Sequence, residues 1–186
     1  MREAYFGEIQ HGHMEQVGYD TYCKLLDEVI KEMQGIKTEK EQDIQIDMNI
    51  SSFIPDEYIE NSSQKIEIYQ DIAISKKEED LKDVLDELID RYGQIPEEVY
   101  NLIEIARIKQ LCKEVNVIKI SQRKENVVFY FENSKFSPEI VDKIIKKYNN
   151  KIKFSPGMEA YITLKLESNS DKNVISEVKN FLSECK

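Results

Sequence analysis

The chain has 186 residues, of which 33% are charged and 40% hydrophobic, with only 6 glycines and 4 prolines. This composition supports a packed core under a well-solvated surface and excludes collagen-like and linker-like chains. No apolar run approaches the roughly 18 residues of a membrane-spanning helix. The amino terminus has no signal-peptide pattern, so a cytoplasmic protein without membrane contact is expected.

Charge is distributed unevenly along the chain. The formal net charge is -10, yet residues 37–104 alone hold 7 basic and 19 acidic residues. Residues 105–133 and 134–186 each carry a net charge of +3. An acidic block repels a phosphate backbone and favours basic protein surfaces. Direct nucleic-acid binding by this chain is therefore disfavoured.

The pattern before residue 75 predicts helices around one strand. A helix is predicted from Met14 to Met33, and strict alternation from Asp43 to Ile50 predicts a half-buried strand. Ser63 is the candidate cap of the next helix. Its predicted apolar face consists of Ile66, Tyr69, Ile72 and Ala73.

The strongest amphipathic pattern follows. Ser75 and Glu78 have the spacing of a capping box, and Gly93 is the predicted helix stop. Between them, apolar residues recur at helical spacing: Leu81, Val84, Leu85, Leu88, Ile89 and Tyr92. Pro96 begins another helix, predicted to reach about Val115, with an inward face of Val99, Leu102, Ile103, Ala106 and Leu111.

The last third of the sequence reads as two hairpins, each followed by a helix. The predicted strands and helices are 117–121, 126–132, 137–148, 152–154, 160–167 and 172–185. The fold class is therefore α+β: a helical amino-terminal half, then a small, mostly antiparallel sheet with packed helices in the order ββαββα.

Residues suited to catalysis or metal binding are scarce. There is no nucleotide-binding glycine loop and no hydrolase or metalloprotease motif. His11 and His13 are the only histidines and lie in an unpatterned segment, where a solvated role is favoured over metal binding. Cys23, Cys112 and Cys185 form no CxxC pair, which is typical of a reducing compartment. No catalytic residue, metal or cofactor is predicted.

Two charged clusters have alternative interpretations. Asp83, Asp86, Glu87, Asp90 and Arg91 share the polar face of the strongest helix, which is either simply solvated or a protein-docking face. Catalysis is disfavoured, because a glycosidase-type pair needs one carboxyl group in an apolar pocket. A basic run around Tyr148 favours a solvated helix end over a nucleic-acid site, and consists of Lys143, Lys146, Lys147, Lys151 and Lys153.

Several motifs resemble one family in the same order. GEIQHGHMEQVGYDTYCKLLDE (7–28) resembles the end of the translocation module of bacterial transcription-repair coupling factors (Mfd). SFIPDEYI (52–59), KIEIYQDIA (65–73) and the block at 78–109 containing ELIDRYGQIP resemble later motifs of that family. The resemblance covers about residues 7–120 well, and the remainder only by pattern.

The resemblance implies a fragment that contains no motor. Residues 1–35 would end the translocation module and include a lead-in helix, and residues 36–186 would form the carboxyl-terminal regulatory domain. That domain packs on the UvrA-binding module of the same protein and masks it, which connects it indirectly to UvrA and RNA polymerase.

The resemblance also assigns roles to individual residues. Glu87 and Asp90 would contact arginines of the UvrA-binding module, and Arg91 would pair with acids of the same interface. Asp83 and Asp86 extend this face. Gln10 matches the glutamine of the translocation motif and would be idle without the motor.

Two other functions remain open at this point. The first is an accessory nucleic-acid-binding module that uses the positive half after residue 105. The second is a hydrolase that uses the carboxylates, which requires a buried acid with a raised pKa.

Overall fold

The structure is a computed structural model and describes residues 44–132, 138–155 and 160–186. They separate into two compact units, residues 51–106 and residues 44–50 with 107–186. The α+β fold class is confirmed. The elements are β1 (Gln45–Asp47), α1 (Ser62–Ile74), α2 (Glu78–Tyr92), α3 (Glu97–Glu114), β2 (Val117–Arg123), β3 (Asn126–Phe131), α4 (Pro138–Tyr148), β4 (Ile152–Ser155), β5 (Tyr161–Lys165) and α5 (Asp171–Glu184).

Some predictions fall outside the described residues. These are the helix from Met14 to Met33, the domain boundary between residues 35 and 36, and every role given to Gln10, His11 and His13. They stay predictions.

The cap of helix α1 in the first unit lies two residues before the predicted one. Asn61 is the cap, and its Oδ1 accepts hydrogen bonds from the backbone N–H groups of Ser63 and Gln64 at 2.9 and 3.2 Å. The prediction of Ser63 was wrong, because the preceding asparagine is at least as good a cap.

The inward face of α1 also differs from the prediction. Ile68, Tyr69 and Ile72 are buried, whereas Ile66 is half-buried and Ala73 is exposed. Each residue turns the helix by about 100°, so Ile66 lies about 200° away from Ile68 and cannot share its face.

The start of α2 corrects the predicted capping box. Ser75 belongs to the end of α1, where its Oγ donates to the Asp71 carbonyl at 2.7 Å. Asp80 closes the first turn of α2 instead, since its Oδ2 accepts from the backbone N–H groups of Lys76 and Lys77 at 2.8 and 2.9 Å. These two bonds lower the pKa of Asp80.

The apolar stripe of α2 is narrower than predicted. Leu81, Val84 and Leu88 are buried, but Ile89 is 54% exposed. Ile89 lies at the edge of the stripe, where other described segments of the protein do not cover it. The predicted stop is confirmed: Gly93 has φ of +81°, and its N–H donates to the Ile89 carbonyl at 3.0 Å.

Helix α3 follows Pro96, as predicted, and ends at Glu114. Val99, Leu102, Ile103 and Ala106 are buried, and Leu111 is half-buried. Glu97 and Glu98 occupy the first turn, where carboxylates interact favourably with the helix dipole.

The second unit contains a five-stranded sheet in the order β1-β2-β3-β5-β4. Both predicted hairpin pairings, β2 with β3 and β4 with β5, are antiparallel. β1 has 3 residues, fewer than the predicted strand, and pairs in parallel with β2, placing Ile46 opposite Ile120.

One face of this sheet forms the core of the second unit. Phe129 of β3 and Phe181 of α5 are fully buried, with ring centroids 4.3 Å apart. Ile120 and Ile162 extend the same face, and Ile144 of α4 packs in the same cluster. The described helices of this unit therefore contribute to a core on one side of the sheet.

Candidate protein-docking site

Helix α2 carries all five residues predicted for the docking face. Leu81, Val84 and Leu88 fix its orientation by burial, and the opposite side points to solvent. The exposed residues on that side are Asp83, Asp86, Glu87, Asp90 and Arg91. Because no carboxylate of this set is buried, the face lacks the desolvated acid that the hydrolase hypothesis requires.

Arg91 is paired within its own helix. Its Nη1 donates to Oε1 of Glu87 at 2.6 Å, across one helical turn. The guanidinium also lies over the ring of Tyr92, 5.1 Å from the centroid. The hydrogen bond to Glu87 raises the pKa of Arg91. A partner that binds the carboxylate of Glu87 must therefore share that carboxylate with Arg91 or displace the arginine.

Helix α1 adds acids that the sequence analysis missed. Burial raises the pKa of Asp71, and the charges of Glu87 and Glu67 raise it further, whereas Arg91 opposes them. The charge of Arg91 therefore acts on Asp71 of α1 as well as on its own partner Glu87 of α2. The three-residue connection from Ser75 to Lys77 was the available signal, since a short connection brings α1 and α2 together as an antiparallel pair.

Tyr58 fixes the carboxyl end of α2. Its hydroxyl donates to the Leu88 carbonyl at 3.1 Å, and its ring lies 5.7 Å from that of Tyr92. Burial raises the pKa of Tyr58. Tyr58, from the SFIPDEYI segment, therefore helps to position the last turn of α2, which carries Asp90 and Arg91.

Other chemistry is poorly supported in the described residues. Across residues 44–132, 138–155 and 160–186, no group of three His, Cys, Asp or Glu side chains could hold a metal ion. Cys112 and Cys185 are buried free thiols, and burial raises the pKa of Cys185 to about 12. A thiol with such a pKa is a poor nucleophile. Within the same ranges, no helix has the length and apolar character needed to cross a bilayer.

The basic run around Tyr148 is largely compensated by acids. Lys147 and Lys143 contact the carboxylate of Glu184 at 2.6 and 3.2 Å, and hydrogen bonds from both lower its pKa. Lys146 pairs with Asp142 at 2.5 Å, and Lys151 pairs with Glu167. These pairs leave little uncompensated charge at the helix end, whereas Lys153 of the same run lies in β4.

The described residues thus define an α+β domain with a charged, exposed face on a helical hairpin. A family model, the TRCF domain, matches residues 48–140, half of the chain. The chain belongs to the transcription-repair coupling factor family.

Curated relatives agree with this assignment. The transcription-repair-coupling factor of Rickettsia typhi is 32% identical over 179 residues, which are 95% of this chain and 16% of that protein. The Borreliella burgdorferi protein is 31% identical over 163 residues, 87% of this chain and 14% of that protein. The chain therefore spans about one-seventh to one-sixth of the length of these relatives.

A solved structure shares the fold. The crystal structure of the C-terminal domain of transcription-repair coupling factor has a TM-score of 0.69 and 23% identity, and the match covers 76% of this chain and 91% of that one. This likeness supports the observed arrangement of helices and sheet.

Proposed function

We propose that this chain is the non-catalytic carboxyl-terminal regulatory domain of a bacterial transcription-repair coupling factor. It docks through the acidic face of α2 on the UvrA-binding module of the same full-length protein and masks that module. Repair recruitment then waits until the translocase engages a stalled RNA polymerase. The carrying observation is the exposure of Glu87 and Asp90 side by side on α2.

The spacing of these two acids suits a charged partner. Residues three apart on a helix are neighbours, so Glu87 and Asp90 project together toward one surface. A carboxylate and a guanidinium can form two parallel hydrogen bonds, which add orientation as well as energy. Arginines on the partner would therefore recognise both the charge and the direction of this face.

The energetics suit a contact that must open. Exposed ion pairs typically contribute under ~1 kcal/mol each, so several must act together. A reversible switch requires a coupling free energy of roughly 1–3 kcal/mol. The exchange of the Glu87–Arg91 bond for bonds to the partner keeps the net gain small. The net charge of -12 over residues 37–104 accelerates encounter with a basic surface.

Calorimetric titration with the isolated UvrA-binding module tests the proposal. The Glu87→Lys/Asp90→Lys variant is expected to weaken binding by at least about tenfold, since it converts two attractions into repulsions. Glu57→Lys/Glu60→Lys is the matched control, with the same charge change and i,i+3 spacing at exposed positions of the same unit.

Each outcome has a distinct meaning. Loss of heat in the α2 variant alone supports the docking face. Equal loss in both variants means that binding depends on the net charge of the chain and not on the α2 face. Unchanged affinity in the α2 variant means that the interface lies elsewhere. Absence of heat with the unmodified chain contradicts docking between separate molecules and leaves only a clamp within one chain, where the effective concentration is high.

A further inference from the structure

The sheet of the second unit has a second face, opposite the core, whose composition is unusual. Strand pairing aligns Lys119 with Tyr130 and Tyr130 with Tyr161, so these three residues form one row across β2, β3 and β5. Two further rows lie on the same face because side chains alternate along each strand. They consist of Ser121, Val128, Thr163 and Lys153, and of Arg123, Asn126 and Lys165. Ser121 is buried, so the accessible part of the face is formed by the other rows and by the strands beyond β2.

Two tyrosines stand in the middle of this face. The rings of Tyr130 and Tyr161 form a cross-strand pair with centroids 5.6 Å apart. The ammonium group of Lys119 lies 5.5 Å from the centroid of the Tyr130 ring. Both tyrosines are half-buried, whereas their neighbours along the strands, Phe129 and Ile162, are fully buried in the core.

The charges around the tyrosines are predominantly positive. Within the five described strands, this face carries Lys119, Arg123, Lys153 and Lys165 and one acid, Asp47 of β1, whose Oδ2 is 3.3 Å from Nη1 of Arg123. The side chains of Lys153 and Lys165 are exposed. Lys153 is the last residue of the basic run around Tyr148, and it differs from Lys143, Lys146, Lys147 and Lys151 of that run, which pair with Glu184, Asp142 and Glu167.

We propose that this tyrosine–lysine face binds single-stranded nucleic acid. Unpaired bases stack on exposed aromatic rings whatever their sequence, and flanking cations hold the phosphates. The accessible parts of the two half-buried rings lie on adjacent strands and offer places for two bases, and a duplex cannot present its bases to them. The function is independent of α2, because it uses other residues in the other unit.

The overall charge of -10 sets the conditions for such binding. Long-range repulsion weakens the approach of a polyanion, whereas the local excess of cations acts at contact distance. The sequence analysis disfavoured nucleic-acid binding from charge blocks alone, which do not reveal that strand pairing brings four cations and two tyrosines onto one face. Binding is therefore expected at low salt and to weaken steeply as salt rises.

Fluorescence anisotropy with a labelled 12-nucleotide oligothymidine at 50 mM salt tests this face in the whole chain. Lys153→Gln/Lys165→Gln is expected to reduce affinity and to lower the slope of log Kobs against log salt by about 1.4, since each phosphate contact contributes about 0.7 for a single strand. Lys113→Gln/Lys172→Gln is the matched control, with the same charge change at exposed helix positions of the same unit.

The contribution of stacking is tested separately. Tyr130→Leu/Tyr161→Leu keeps apolar bulk on the sheet but removes both rings, and is expected to weaken binding at least about tenfold. Circular dichroism verifies that each variant is folded, and the lysine variants keep the test decisive should the leucine variant unfold.

Loss of affinity in both sheet variants, with the helix control unchanged, supports the proposal. Absence of oligothymidine binding at 50 mM salt overturns it, as does equal weakening by the helix control. Equally effective competition by polyglutamate would identify the face as a surface for acidic protein segments, and would also overturn it.

Discussion

Nη1 of Arg91 donates to Oε1 of Glu87 at 2.6 Å, so the only cation of the predicted docking set is already bonded to one of its acids. The pair lies on the flank of α2 that faces α1, beside Asp71, whose pKa both residues influence in opposite directions. One of the four acids on the face is therefore already paired within the helix. A basic partner that binds Glu87 would change the charges near Asp71. The pKa of Asp71 therefore reports whether Glu87 is bound.

The titration of Asp71 should respond to substitutions on α2. Glu87→Gln removes a negative charge that raises the pKa of Asp71, so that pKa should fall; Arg91→Gln removes a cation that lowers it, so it should rise. Carbon-13 NMR titration of the aspartate carboxyl groups measures both shifts. Asp86→Asn, on the other flank of α2, should leave Asp71 unchanged, and shifts of the same sign in the first two variants would contradict this arrangement.

The stability of the chain at acid pH should depend on Asp80. Two backbone hydrogen bonds lower its pKa in the folded state below the ordinary value of 3.8. The stabilisation is therefore fully present above the unfolded-state pKa and is lost as the pH falls through the folded-state pKa. In urea denaturation, the unmodified chain and Asp80→Asn should differ clearly at pH 7, and the difference should shrink as the pH falls below 3.8 through the folded-state pKa.

Asp83→Asn is the control for this comparison, because Asp83 accepts no backbone hydrogen bond within the residues that the structure describes. Its free energy of unfolding at pH 7 should differ little from that of the unmodified chain, because it is a surface substitution. A difference for Asp80→Asn that stays constant from pH 7 to pH 3 would show that the charge of Asp80 does not contribute.

The hydroxyl of Tyr58 should stabilise the first unit. Tyr58→Phe deletes the hydrogen bond to the Leu88 carbonyl and should lower the free energy of unfolding by about 1 kcal/mol. Chemical denaturation followed by circular dichroism measures this change. Tyr100→Phe, at a position 49% exposed, is the matched control and should change stability by less than about 0.5 kcal/mol. Equal effects in the two variants would mean that the bond contributes nothing.

Short-range pattern was sufficient for most of the described elements and for the exposed acidic side of α2. The spacing of Leu81, Val84 and Leu88 predicted both the helix and its exposed acidic side, because a 3.6-residue period fixes two faces at once. Pro96 and Gly93 marked helix ends through backbone constraints that act locally. The hairpin of β2 and β3 followed from alternation around a polar turn.

The errors arose where neighbours compete for one role. Asn61 and Ser63 are both capping residues, as are Asp80 and Ser75, and the sequence does not show which of them takes the first turn. Ile89 fits the apolar period, but its burial depends on what lies beside α2. Glu67 and Asp71 joined the candidate site only because α1 folds back along α2.

The sequence by itself determined the α+β class, most of the helices and strands, and the acidic face of α2, because these follow from the period and end signals of single segments. The tertiary structure decided that β1 pairs with β2 as a parallel edge strand. It also brought the charge of Arg91 near Asp71 of α1 as well as Glu87 of α2. It also gathered Tyr130, Tyr161 and the surrounding cations on one sheet face. Those relationships depend on pairing between residues far apart in the chain, which no local pattern encodes.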